Sequence, residues 1–150
     1  MTIDERQREL VALFADATDW EERYRKLIDL GRALGELPEA LKQEKYRVRG
    51  CQAQVWLHAE LDPERQHVIF RADSDALIVK GLIALLLRVY SDATPTEILS
   101  SPPRFIEELG LTRHLSPTRS NGLRAMVEQM VYYAKAFQSL LLARSRAAPA

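Results

Sequence analysis

"ADSDALIVKGLIALLLRVY", residues 72–90, changes period part-way and so decides the fold. After the strand-like period before it, this stretch switches to a 3.6-residue repeat that is apolar on most sides, broken only by Lys80 and Arg88. This predicts a helix buried at the centre of the protein. Its longest uninterrupted apolar run, Gly81 to Leu87, falls far short of the ~20 residues that span a bilayer. Asp73, Ser74 and Asp75 stand where an N-cap and first turn want acceptors and negative charge, because a helix start exposes unpaired N–H groups.

Upstream the period is two. A strand is expected from about His67 to Ala72, preceded by the turn Asp62–Arg65 (DPER). Before that turn, Val55, Leu57, Ala59 and Leu61 alternate with Gln54, Trp56, His58 and Glu60. Tyr46 and Val48 alternate with Arg47 and Arg49 in the same way and read as a further strand. The fold class that follows is α+β, a small antiparallel sheet packed against several helices.

Helices flank this unit on both sides. Leu10, Leu13 and Phe14 form a short apolar patch, and Thr18 with Glu21 reads as a capping box opening a helix that carries Trp20, Tyr24, Leu27, Ile28 and Leu34. Gly35 supplies a left-handed end to it. Residues 36–45 show no sustained period and read as a solvated connector. Downstream, Thr94 and Glu97 form a second capping box around Pro95, opening a helix that ends near Ser100. Residues 104–110 give one or two turns closed by Gly110, and residues 111–123 read as a polar connector. The last helix has one apolar face made of Leu123, Met126, Val127, Met130, Val131, Phe137 and Leu141. Gly81 and Gly122 read as close-packing positions. A single domain over 1–150 is expected, ordered over about 4–141, with a flexible tail at 142–150.

Composition narrows the function. Apolar residues make up 47% of the 150, and 21 basic residues balance 21 acidic ones, so no net field holds nucleic acid or an anionic membrane. Proteins or small molecules are the expected partners. The charged start "MTIDERQREL" is unlike a secretory signal, which makes the cytoplasm the expected location. Cys51 is the one cysteine, so no disulfide can form within the chain and any redox chemistry needs a partner or a small molecule.

Two readings of Cys51 stand side by side. A free cysteine is often a small buried hydrophobe. Against that, Gly50 suits a tight excursion between strands, and Arg47, Arg49 and Lys45 are near enough in sequence to favour a thiolate. Alternation from Tyr46 and Val48 would also put residue 50, not 51, on their face. Zinc or an iron–sulfur cluster is set aside, because one Cys with His58, His67 and His114 matches no common ligand spacing. Nothing in the sequence demands a Cys–His hydrolase.

Three segments carry a resemblance. "RGCQAQVW" (49–56), "DSDALIVKGLIALL" (73–86) and "HLSPTRSNGL" (114–123) occur in this order and spacing, and together they resemble the SufE family of sulfur-acceptor proteins, which includes the CsdE proteins. The likeness runs from about residue 4 to 140, and the Gln-x-Gln after the cysteine is closer to the SufE branch. Tyr46 departs from it, standing where many relatives carry asparagine.

The resemblance implies a SufE/IscU-like fold and a relay function. Such proteins dock on a pyridoxal-phosphate cysteine desulfurase (SufS/CsdA-like), take sulfane sulfur from its persulfide and pass it to an iron–sulfur scaffold complex. Cys51 would carry the sulfur, and the protein would bind no cofactor or metal of its own. It would act as an accessory sulfur-transfer protein, monomer or homodimer, rather than a stand-alone enzyme. A lone cysteine suits such a carrier, since a second thiol nearby could attack the persulfide and release sulfide. A carrier also gains by sheltering its sulfur, which predicts a loop around Gly50 and Cys51 that tucks against apolar residues at rest.

Supporting roles around Cys51 fall to Gln52, Gln54, Asp75, His114 and Arg119. Each has a plainer alternative: solvated glutamines, a helix-start aspartate, a loop histidine bonded to backbone, a surface ion pair. Trp56 reads as a packing residue. Two rival functions remain open at this point. One is a one-cysteine thiol peroxidase or redox sensor passing through a sulfenic acid, and the other a scaffold in which the cysteine is incidental.

Overall fold

Leu82, Ile83, Leu85 and Leu86 are almost wholly enclosed, which puts the helix that carries them, α3 (Leu77–Tyr90), at the centre of the protein. The structure, a computed structural model, describes residues 1–147. In chain order it has α1 (Ile3–Leu13), α2 (Trp20–Ala33), two 3-10 turns (Glu39–Leu41 and Glu44–Tyr46), β1 (Val55–Leu61) and β2 (Val68–Ser74). After α3 come α4 (Pro95–Ser100), α5 (Arg104–Glu108), α6 (Leu111–His114) and α7 (Pro117–Ala147). The class is α+β, as expected.

β1 and β2 form a two-stranded antiparallel hairpin in the register Val55↔Ser74 to Leu61↔Val68. Because side chains alternate across a strand, Val55 and Leu57 face the core together with Val68, Phe70 and Ala72. α2 covers another side of α3 at very short range. A Cβ on Gly31 would stand 2.8 Å from the Gly81 nitrogen, and one on Gly81 would meet the Leu27 carbonyl carbon at 2.8 Å. Backbone therefore touches backbone, which only glycine permits there.

Several expected starts are displaced. Thr18 is not the cap of α2: Asp19 is, accepting the Glu22 N–H at 2.9 Å, while Thr18 donates its own N–H to the Glu22 carboxylate at 3.0 Å. Tyr46 and Val48 are not in a strand. Tyr46 ends a 3-10 turn, and the segment's backbone pairs with β1 where Arg47 bridges Trp56 and the Val48 N–H reaches the Val55 carbonyl at 2.8 Å. Residues 36–45 are less solvated than their composition suggests, since Leu37 is buried. Leu13 is exposed beside the buried Leu10 and Phe14.

Asp73 and Ser74 do not cap α3 either, because both belong to β2 and the cap position is Ala76, which makes no side-chain bond. The polar stretch 111–123 is mostly helical: α6 occupies Leu111–His114, and α7 begins at Pro117 with the Ser116 hydroxyl accepting the Arg119 N–H at 3.3 Å. Serine followed by proline is itself a helix start, and the missing apolar period concealed it. Gly35 has the left-handed backbone expected of it, Gly110 has one as well, and Thr94–Glu97 forms the capping box.

α7 buries Leu123, Met126, Met130 and Ala134 and runs to Ala147, so residues 142–147 continue a helix with exposed side chains. The remainder of the expected tail, 148–150, lies outside the described residues. Among the described residues no helix is long and apolar enough to cross a membrane.

Candidate functional site

The Val48–Val55 hydrogen bond closes the base of a loop, and at its far end Gln54 donates its N–H to the Asp75 carboxylate at 3.1 Å. Gly50 has φ +90°, a conformation that a side chain disfavours, and this turns the chain so that Cys51 points inward. Cys51 is half-buried. Its Sγ donates to the Gly122 carbonyl oxygen of α7 at 3.4 Å.

Beside the sulfur lies a cavity of about 140 Å³. Ala53, Ala76, Val79, Leu82 and Met126 give it apolar walls, and Gln52, Thr118 and Arg119, all exposed, add polar groups. The loop, the start of α3, its second turn and the first turns of α7 meet there. This is the apolar seat expected for the loop.

The electrostatics differ from the expectation. Burial pushes the Cys51 thiol above its ordinary range, because it disfavours the thiolate. Arg47 and Arg49 both turn to Glu44, at 3.7 and 3.3 Å, and Lys45 lies over the Tyr46 ring. Closeness in sequence did not bring these cations to the sulfur. Thiolate chemistry is therefore disfavoured by the seat itself.

A sole thiol on a glycine-hinged loop, docked on a helix glycine in an apolar cavity, invites comparison with known proteins. The family model described as "SufE: Fe-S metabolism associated domain" matches residues 8–134. The chain belongs to the SufE family. An uncharacterized SufE-like protein of Rhizobium etli is 44% identical over 125 residues, covering 81% of this chain and 84% of that protein. The solution structure of a hypothetical protein from Thermus thermophilus has a TM-score of 0.72 at 23% identity, covering 89% of this chain and 96% of that one. That last likeness establishes the fold.

Within this SufE-family protein the expected site residues separate into groups. Gln52 and Arg119 line the Cys51 cavity, while Gln54 and Asp75 fasten the end of the loop. His114 is not brought to Cys51. Its ring stacks on Trp20 at 3.9 Å, its carbonyl accepts the Tyr24 hydroxyl, and it borders a different cleft with Asp19 and Arg23. Trp56 lies half-buried under the Lys42 ammonium at 5.6 Å.

His67 pairs with Asp92 at 3.0 Å, and His58 packs its ring against Tyr46. Among the described residues, no three His, Cys, Asp or Glu side chains converge as metal ligands. Sequence reasoning took Asp73 for a helix-start residue and missed its burial, for it is 3% exposed. By alternation from Val68, Phe70 and Ala72 it falls on the outward register of β2, so the period gave no sign of its burial. Gly122 was recognised as a close-packing position, but not as the contact of Cys51.

Proposed function

We propose that Cys51 accepts sulfane sulfur from the cysteine persulfide of a pyridoxal-phosphate cysteine desulfurase and passes it to an iron–sulfur scaffold complex. The Cys51 thiolate attacks the outer sulfur of the donor persulfide. A new S–S bond forms at Cys51, the donor's S–S bond breaks, and the donor cysteine leaves as a thiolate. The desulfurase carries the C–S cleavage on its own cofactor, so this protein has only to present, receive and shelter a sulfur atom. The setting is the cytoplasm, where both partners would be met by protein–protein docking.

The observation that carries the reading is the resting seat of the sole thiol. A persulfide is open to attack by small thiols, and apolar walls on one side of Cys51 limit their approach. Family membership supports the same role in iron–sulfur metabolism.

Desulfurase turnover tests this. Alanine formation by a cognate cysteine desulfurase is expected to rise several-fold on adding this protein. Cys51→Ser is expected to remove the stimulation. Equal stimulation by the serine variant would refute the relay.

A further inference from the structure

Gly122 lies inside α7 with a helical backbone, where glycine is less favourable than alanine because it loses more conformational freedom. No positive φ demands it there. Outside its own helix backbone, a Cβ at this position would meet only Cys51 within 4 Å, with Sγ at 3.2 Å and the cysteine Cβ at 3.9 Å. Ordinary carbon contacts begin at about 3.5 Å, so an added methyl group and the seated sulfur compete for one space.

The two sides are unequal in their ability to give way. α7 is pinned by Leu123, Met126 and Met130, all buried. Cys51 sits on a loop fastened at its ends by backbone N–H groups, and between them its own Sγ reaches the Gly122 carbonyl of α7 at 3.4 Å. The sulfur is therefore the side that moves.

We infer that Gly122 is a positioning residue for Cys51: its missing side chain sets how deeply the sulfur seats, and so how far the thiol or its persulfide is withheld from solvent. This rests on the relay reading for its purpose, though not for its geometry. A side chain at residue 122 leaves the loop fold intact but holds the sulfur outward. The exposed sulfur is then better solvated, ionises more readily and is open to small thiols.

The test is Gly122→Ala in the full chain, with Cys51 alkylated by iodoacetamide across a pH series. The variant is expected to react several-fold faster near neutral pH, because a better-solvated sulfur carries more thiolate. The midpoint of its pH–rate profile should also move down toward that of an ordinary thiol. An unchanged rate and an unchanged midpoint in a folded variant would overturn the inference.

A thermal-melting cycle reads the contact even if the variant folds poorly. In a Cys51→Ala background, Gly122→Ala is expected to raise Tm as an ordinary helix substitution does. In the Cys51 background the same change is expected to raise it less or to lower it. Equal shifts in both backgrounds would contradict the contact. Neither measurement involves a desulfurase, so failure of sulfur transfer and failure of the seat are told apart.

Discussion

The Asp73 carboxylate stands 3.2 Å from the Lys80 ammonium, joining the end of β2 to the first turn of α3. The same carboxylate accepts the N–H groups of Leu37 at 3.0 Å and Ser74 at 2.8 Å, and Lys42 lies 3.8 Å away. One buried group thus holds together the connector, the strand and the start of α3. Asp73→Ala strands two N–H groups and a mostly buried ammonium, so urea unfolding should show a loss of about 3–5 kcal/mol.

Acid should act on the same anchor. Burial alone would raise the Asp73 carboxyl, but the Leu37 and Ser74 N–H groups and Lys80 together hold it below the ordinary range. A carboxyl depressed in the fold stabilises fully above its unfolded value of about 3.9, and that contribution is lost as pH falls through the folded value. Wild type should therefore lose Tm below about pH 4 more steeply than Asp73→Asn, which has no carboxyl there to protonate. Parallel curves for the two proteins would contradict this anchor.

The contact of α2 with α3 predicts an asymmetry between glycines. Gly81→Ala drives a methyl group into the Leu27 carbonyl, while at Gly35, φ +76°, an added Cβ meets nothing within 4 Å. The first should destabilise by about 3 kcal/mol through overpacking, the second by about 1 kcal/mol through backbone strain. Chemical denaturation of both variants measures the difference.

The sequence showed the parts of the fold that obey a period. α3, the hairpin around Asp62 and the capping box at Thr94 all lie where local preference and burial agree. Tyr46 and Val48 alternate correctly, yet only one bridge forms, because a strand needs a neighbour along its length and period alone does not supply one. Pro117 to Asn121 gave no apolar stripe because that turn of α7 is largely exposed, so its helix was hidden. Cys51, Gly50 and Arg119 were legible at the site through the motifs. The partners of Asp73, and the turning of Arg47 and Arg49 to Glu44, depend on tertiary placement that spacing does not encode.

Thiol titration separates the seat from a random surface cysteine. Alkylation of Cys51 should have a pH midpoint above that of an ordinary thiol, because burial disfavours the thiolate, and should return to about 8.5 in denaturant. The linked effect on stability has the opposite sign to that of Asp73. An acid raised in the fold stabilises below its unfolded value, and this contribution disappears as pH rises through the folded one. Identical midpoints in native and denatured protein would contradict the resting geometry.

Asp75 fastens the loop from the α3 side through the Gln54 N–H. The bond is exposed, so Asp75→Ala should cost only about 0.5–1.5 kcal/mol of local stability. Amide exchange at Gln54 should speed up roughly 2–10-fold while core amides such as Leu85 keep their protection. Uniform acceleration across the protein would instead indicate a global effect.

The relay itself is tested most directly by intact-protein mass spectrometry after mixing the protein with a cysteine desulfurase and free cysteine, wild type beside Cys51→Ser. The account predicts the mass of one added sulfur atom on wild type alone, removed by reductant. No added sulfur on wild type with a cognate desulfurase, or the same addition on the serine variant, would contradict it.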